Sequence, residues 1–249
     1  MTTKTSGVSH AATTRKRMSV DEVVAELRAL GNPKNAAGYA HFGIAATNTL
    51  GITIPALRTL AKRCGRDHAL AAQLWARGIH EARILAGMVD DPAKVTPRQM
   101  DRWANQFDSW DVVDGVCNLF EYTPYAYDKA MEWSRHRKEY VKRSAFTLVA
   151  YFAVHDKQAP DEKIMQFLPV IRREAHDERN FVKKAVNWAL RNIGKRNVRC
   201  NEAAIVATEQ IRADGTRAGR WIASDALREL RSEAVQRRLR ERSAPQSRA

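Results

Sequence analysis

The sequence predicts an all-α protein, a right-handed solenoid of helical pairs with a basic concave face, and three observations lead to that expectation. From Asp67 onward apolar residues recur at helical spacing between short polar breaks, with no alternating strand pattern and no hairpin turn. Segments opening on an aromatic residue return about every 40 residues, the period of a helical-pair repeat. They are Tyr140-Val141-Lys142-Arg143-Ser144-Ala145-Phe146, Phe181-Val182-Lys183-Lys184-Ala185-Val186-Asn187 and Trp221-Ile222-Ala223-Ser224-Asp225-Ala226-Leu227. Cations ride on these segments. Because no helix pair buries its apolar face alone, such units stack, and the second helix of each pair lines the inner side.

Residues 1–18 read as a flexible basic arm: Met1 to Lys16 is rich in Ser, Thr and Ala, carries Lys4, Arg15 and Lys16, and lacks any acid or aromatic residue. Ser19-Val20-Asp21-Glu22 then supplies an N-cap with an acid three residues on, and Val23, Val24, Leu27 and Leu30 follow at helical spacing. Gly31-Asn32-Pro33 ends that helix. Pro55 suits the first turn of a helix over 56–64, while Gly51-Ile52-Thr53-Ile54 is too short and isolated to force a sheet. Further helices are expected over 69–75, 79–89, 97–105, 110–120, 125–134, 139–153, 161–175, 178–193, 201–213 and 220–240. Breaks such as Asp91-Pro92, Thr123-Pro124, Ala159-Pro160 and Asp214-Gly215 separate them. One repeat domain is expected over 19–235, then a flexible tail over 236–249.

At 249 residues and 44% hydrophobic composition the chain can bury a sizeable core. Its 42 Lys and Arg against 28 Asp and Glu give a net charge of +14, which favours a polyanionic partner, nucleic acid ahead of a membrane surface. Three cysteines without a CxxC pair, and no secretory signal pattern, point to a reducing, cytoplasmic and nucleoid-associated setting. His80-Glu81 lacks the second histidine of an HExxH zinc helix, so neither metal nor cofactor is expected. No apolar run is long enough to span a bilayer. A monomer is expected.

The costliest stretch is Phe107-Asp108-Ser109-Trp110-Asp111-Val112-Val113-Asp114-Gly115-Val116-Cys117-Asn118-Leu119-Phe120, where acids and a tryptophan interrupt an apolar helix. Trp110 and Asp114, four apart, project together, while Val112, Val113, Val116 and Leu119 face a core. The plain alternative is that Asp108 or Ser109 caps the helix, Trp110 is core and Asp114 is a solvated acid. Downstream, Lys184 and Trp188 are again four apart, with Arg191 close to one turn further. An inner face bearing Lys142, Arg143, Lys183, Lys184, Arg191, Lys195 and Arg196 suits a phosphate backbone, whose charge sets affinity without reading sequence. Solvated helix faces would give the same pattern, and Trp188 would also serve as core.

Three separated motifs carry a family resemblance. Ser109-Trp110-Asp111-Val112-Val113-Asp114, Glu139-Tyr140-Val141-Lys142-Arg143-Ser144-Ala145 and the run from Asn180 through Trp188 to Arg191 resemble, in that order, the DNA alkylation repair family of AlkD-like glycosylases, built from HEAT-like repeats. The resemblance extends over most of 39–230. It implies excision of N3- and N7-alkylated purines from double-stranded DNA by hydrolysis of the N-glycosidic bond. It places the catalytic carboxylate at Asp114, the aromatic lesion contacts at Trp110 and Trp188, and the helix-start arginine at Arg143. A family tyrosine near the N-terminus has its nearest match in Tyr39, at a different spacing. Val113 and Gly115 depart from the family's first motif, which bears on substrate preference. The other readings are a repeat protein that binds damaged or branched DNA without cleaving it, and a protein-interaction scaffold.

Overall fold

The computed structural model describes residues 17–44 and 48–243, so residues 1–16 of the arm expected over 1–18 and the last six residues of the expected tail lie outside the described residues. Every regular element described is helical. In chain order these are α1 (Val20–Ala29), α2 (Pro33–Gly38), a 3-10 turn (Tyr39–Phe42), α3 (Ile54–Cys64), α4 (His68–Ala76), α5 (His80–Val89), α6 (Pro97–Ala104), α7 (Trp110–Phe120) and α8 (Ala126–Trp133). There follow α9 (Glu139–His155), α10 (Asp161–Met165), α11 (Leu168–Glu174), α12 (Asn180–Gly194), α13 (Val198–Ala213), α14 (Arg217–Leu230) and α15 (Glu233–Ser243).

Helices α3, α5, α7, α9, α12 and α14 pack in sequence as one layer, and α4, α8, α11 and α13 back it as an outer layer. The apolar core lies between the layers, with Trp103, Phe120, Phe146, Phe152 and Phe167 its largest wholly buried side chains. The repeat read from the aromatic starts is physical: Tyr140 and Phe181 meet at 5.7 Å between ring centroids, and Lys183 sits 5.0 Å over the Trp221 ring.

Local chemistry accounts for the helix ends. Ser19 and Glu22 form a reciprocal capping box on α1. Gly31-Asn32-Pro33 does more than end α1, because the Asn32 side chain accepts from the N–H groups of Lys34 and Asn35 and Pro33 takes the first turn of α2. The β-branched stretch after it pairs with a side chain instead of a strand: Glu81 accepts from the N–H groups of Leu50 (2.8 Å), Gly51 (2.6 Å) and Ile52 (3.3 Å). Gly51, at φ +75°, has no room for a side chain, since a Cβ would meet the Asn32 carbonyl at 2.2 Å.

Two expected helices are each divided. The helix expected over 161–175 breaks between α10 and α11, where Pro169 lacks an N–H and its ring would crowd the carbonyl four residues back. The helix expected over 220–240 breaks at Arg231-Ser232, and α15 turns back onto α13 and α14. Ser232 accepts from the Val235 N–H, and Val235 and Leu239 are buried, so 236–243 is helix and not tail.

Candidate functional site

Trp110 opens α7 and Asp114 follows one turn on; Arg143 sits in the first turns of α9; Trp188 lies midway along α12. Because these three helices are successive members of the inner layer, the four side chains meet. Arg143 Nη2 donates to both oxygens of Asp114 at 2.9 Å, its Nη1 donates to the Phe181 carbonyl at 3.0 Å, and its guanidinium lies 5.9 Å from the centre of the Trp110 ring. Thr147 donates to Asp114 Oδ1 at 3.3 Å. Tyr151 donates to the Asp114 carbonyl at 3.0 Å and meets the Trp188 ring edge-on at 5.4 Å. Arg143, Thr147 and Tyr151 stand at i, i+4 and i+8, so one face of α9 braces both the acid and the distal tryptophan.

Beside them is a cleft of about 310 Å³ walled by Phe42, Trp110, Arg143, Phe181, Lys184 and Trp188. Asp114 borders it through Arg143 and keeps 22% of its side chain exposed, so it is neither the freely solvated acid nor a closed core group. Burial raises its carboxyl above the ordinary range and outweighs the opposing effect of Arg143. Among the described residues Oδ2 receives only the arginine, which leaves a lone pair for a water or a sugar. Trp110 is half-buried, and its indole N–H donates to the Phe42 carbonyl at 3.0 Å. Ser109 stands at the N-cap, yet its hydroxyl donates to the Asp111 carboxylate and not to the helix backbone.

Tyr39 is elsewhere. Its hydroxyl donates to Glu81 at 3.2 Å and its ring packs on His80, which in turn bonds Asp111 at 2.8 Å. Burial works against a charged His80, but the Asp111 carboxylate prevails and raises its pKa. The aromatic that the 3-10 turn delivers to the cleft is Phe42, 65% exposed, with Gly43 laid so closely on Phe181 that a Cβ would sit 2.9 Å from the ring. Tyr39-Ala40-His41-Phe42 offered two aromatics three apart, and their partners separate them: Glu81 and His80 hold Tyr39, while Phe42 reaches the cleft. The Arg143, Thr147, Tyr151 spacing was legible on the same terms.

The cations divide. Lys184 is exposed on the cleft wall, and Lys183 lies over Trp221. Lys142 is a correction: it is buried against Glu174 (2.6 Å) and Asp177 (3.2 Å), because the next residue along a helix points about 100° away. Arg196 is also turned inward, to Asp161 and the carbonyls of Ala153 and Ala159. Arg191 and Lys195 share Glu229, at 2.5 and 2.7 Å, so they brace α12 on α14 rather than standing free.

Among the described residues no group of His, Cys, Asp or Glu is placed to hold a metal ion, and no helix is long and apolar enough to cross a membrane. A larger cavity of about 910 Å³ between α11 and α13 shares no residue with the cleft.

No curated protein sequence matches the chain significantly. A solved structure described as "a new family of proteins related to the HEAT-like repeat DNA glycosylases with affinity for branched DNA structures" is similar at 22% identity and a TM-score of 0.73, over 89% of this chain and 96% of that one. That likeness gives the fold, a stack of HEAT-like repeats. The family described as DNA alkylation repair enzyme matches residues 23–230, nearly the whole described stack with every wall of the cleft inside it. The chain therefore belongs to the DNA alkylation repair enzyme family.

Proposed function

We propose that the protein is a DNA glycosylase that excises positively charged N3- and N7-alkylated purines from duplex DNA. The observation that carries this reading is a carboxylate, Asp114, held by an arginine at the edge of a cleft walled by aromatic rings. An acid there repels the phosphate backbone that a DNA-binding surface must approach, which gives it a reason to be present only if it does chemistry.

An alkylated purine already carries positive charge and leaves readily, so the developing sugar cation is what needs help. The C1′–N bond breaks with its electron pair departing on the base, which becomes neutral. Water adds at C1′, and its proton passes to Asp114 Oδ2, whose negative charge has stabilised the oxocarbenium ion. The faces of Trp110 and Trp188 attract a cationic base or sugar, by about 0.5 to 2 kcal/mol each. Arg143 holds Asp114 in place and opposes its protonation, while Lys184 is placed to meet a phosphate.

Incubation with methylated duplex and chromatography of the released bases tests the proposal. Release of 7-methylguanine or 3-methyladenine is expected, while uracil and hypoxanthine, neutral and poor leaving groups, stay attached. A second reading, binding without base release, draws on the branched-DNA affinity of the similar solved protein; retention of DNA with no free base would establish it in place of the first.

A further inference from the structure

The groove of about 910 Å³ between α11 and α13 belongs to the outer layer, away from the cleft, because every residue lining it lies on α10, α11, α13 or the turns that follow them. Its volume has a local cause. Helix α13 presents Ala203 and Ala207, four apart, and α11 ends on Ala175, so the two helices face each other across methyl groups. The preceding outer junction, α8 against the start of α11, is filled instead by Tyr127, which stacks on Phe152 at 4.0 Å and reaches Phe167 at 6.1 Å. The floor of the groove is apolar: Leu168, Ala207 and Ile211 are buried, and Val206 stands at the edge, 58% exposed. An open apolar trough of this size, flanked by charge, is the surface form that receives another molecule's apolar side chains.

The rim decides the partner. Arg172 and Arg173 stand on the α11 side, and Asp214 is the single acid among the lining residues. That acid is already taken: Arg172 donates to its two oxygens through Nε and Nη2, both at 2.9 Å, and to Gln210 through Nη1 at 3.1 Å. Arg173 donates to Glu174 through Nε at 2.6 Å and to Ser134 through Nη2 at 2.8 Å, which leaves both N–H groups of Nη1 unused among the described residues. Both guanidiniums are exposed. The rim therefore offers charged donors and no free carboxylate, which suits an acidic partner. A second copy of the chain fits poorly, since it would bring a net charge of +14 against another +14.

We infer that this outer groove docks an acidic amphipathic segment of another protein, its apolar side chains laid along Ala203, Val206 and Ala207 and its carboxylates on Arg172 and Arg173. From Ala203 to Asp214 the groove runs about 16 Å at 1.5 Å per residue, the length of about three helical turns. The inference concerns the outer layer and rests on neither DNA binding nor base release. Its test is a phage-displayed library of random peptides of about twelve residues, panned against the full chain with unmodified duplex in excess to occupy the inner face. Enriched peptides are then synthesised and titrated by fluorescence anisotropy. They are expected to combine Asp or Glu with large apolar residues at helical spacing and to bind with Kd of about 1 to 100 µM. Val206→Asp, which sets a charge on the apolar edge, is expected to weaken them at least about tenfold, and Arg173→Gln severalfold. Ala203→Trp fills the groove without adding charge and is expected to match Val206→Asp, so the result does not hang on one substitution. Unchanged melting temperatures show that the variants are folded. No enrichment, enriched peptides without acids, or binding that survives both Val206→Asp and Ala203→Trp would overturn the inference. So would self-association of the chain that Val206→Asp abolishes, since a second copy would then occupy the groove.

Discussion

Lys142 and Arg143 are neighbours on α9, both cations, both largely buried and both paired to acids, and they serve opposite ends. Lys142 faces the outer layer and closes a network with Glu174 and Asp177. Burial alone would raise those two carboxyls, but Lys142, Arg173 and Arg179 overcome it, holding Glu174 below its ordinary range and Asp177 down to about 2. Arg143 faces the cleft, and there burial prevails over the arginine, so Asp114 sits above its ordinary range. An acid saturated with donors belongs to the scaffold. An acid whose charge is kept at a cost, with a lone pair spare, is suited to chemistry.

The largest expected effect breaks the cleft side of this contrast. Asp114→Asn keeps the shape and removes the charge, and base release should fall by about 10² to 10⁴ while DNA affinity holds or improves, as read by single-turnover kinetics beside binding. The scaffold side breaks differently. Lys142→Ala removes the cation shared by two buried carboxylates, which keep Arg173 and Arg179, and should cost about 1 to 3 kcal/mol of stability in chemical denaturation, with the base-release rate per folded molecule unchanged.

A pH series separates the two acids further. Asp114 must be ionised to act, so the acid limb of base release should lie above the ordinary aspartate value near 3.9, in the direction its burial dictates. Asp177 has the opposite sign. Its native pKa of about 2 is below its unfolded value, so it contributes stability that is complete above about pH 4 and lost as pH falls toward 2, measurable by acid unfolding. Trp188→Ala should cost about 2- to 30-fold in base release from a cationic lesion, the worth of one cation–π contact. Tyr151→Phe, the mildest change, keeps the ring against Trp188 and removes the hydroxyl from the Asp114 carbonyl; a severalfold slower release at unchanged affinity is expected, about 1 kcal/mol.

Much of this is legible in the sequence. The capping box at Ser19, the proline starts at Pro55 and Pro97 and the aromatic period near Tyr140, Phe181 and Trp221 are local signals, and local geometry obeys them. The meeting of Trp110 and Asp114 follows from helical spacing, and that of Asp114 with Arg143 from stacking of adjacent repeats. What the sequence hid was the far partner of each cation. Glu229 lies 38 residues beyond Arg191 and Glu174 lies 32 beyond Lys142, so a basic run that reads as a free DNA face is partly consumed inside the stack. Tyr39 gave way to Phe42 because Glu81, 42 residues further on, takes the Tyr39 hydroxyl, and neither spacing nor composition announces that partner.

The most direct measurement is chromatographic detection of free 7-methylguanine from a methylated duplex at saturating protein, wild type beside Asp114→Asn, with affinity for the same duplex measured in parallel. Steady release by the wild type, near-absent release by the variant and intact binding by both are expected. Equal release by the two proteins, or binding by both with no base released by either, would contradict a catalytic Asp114.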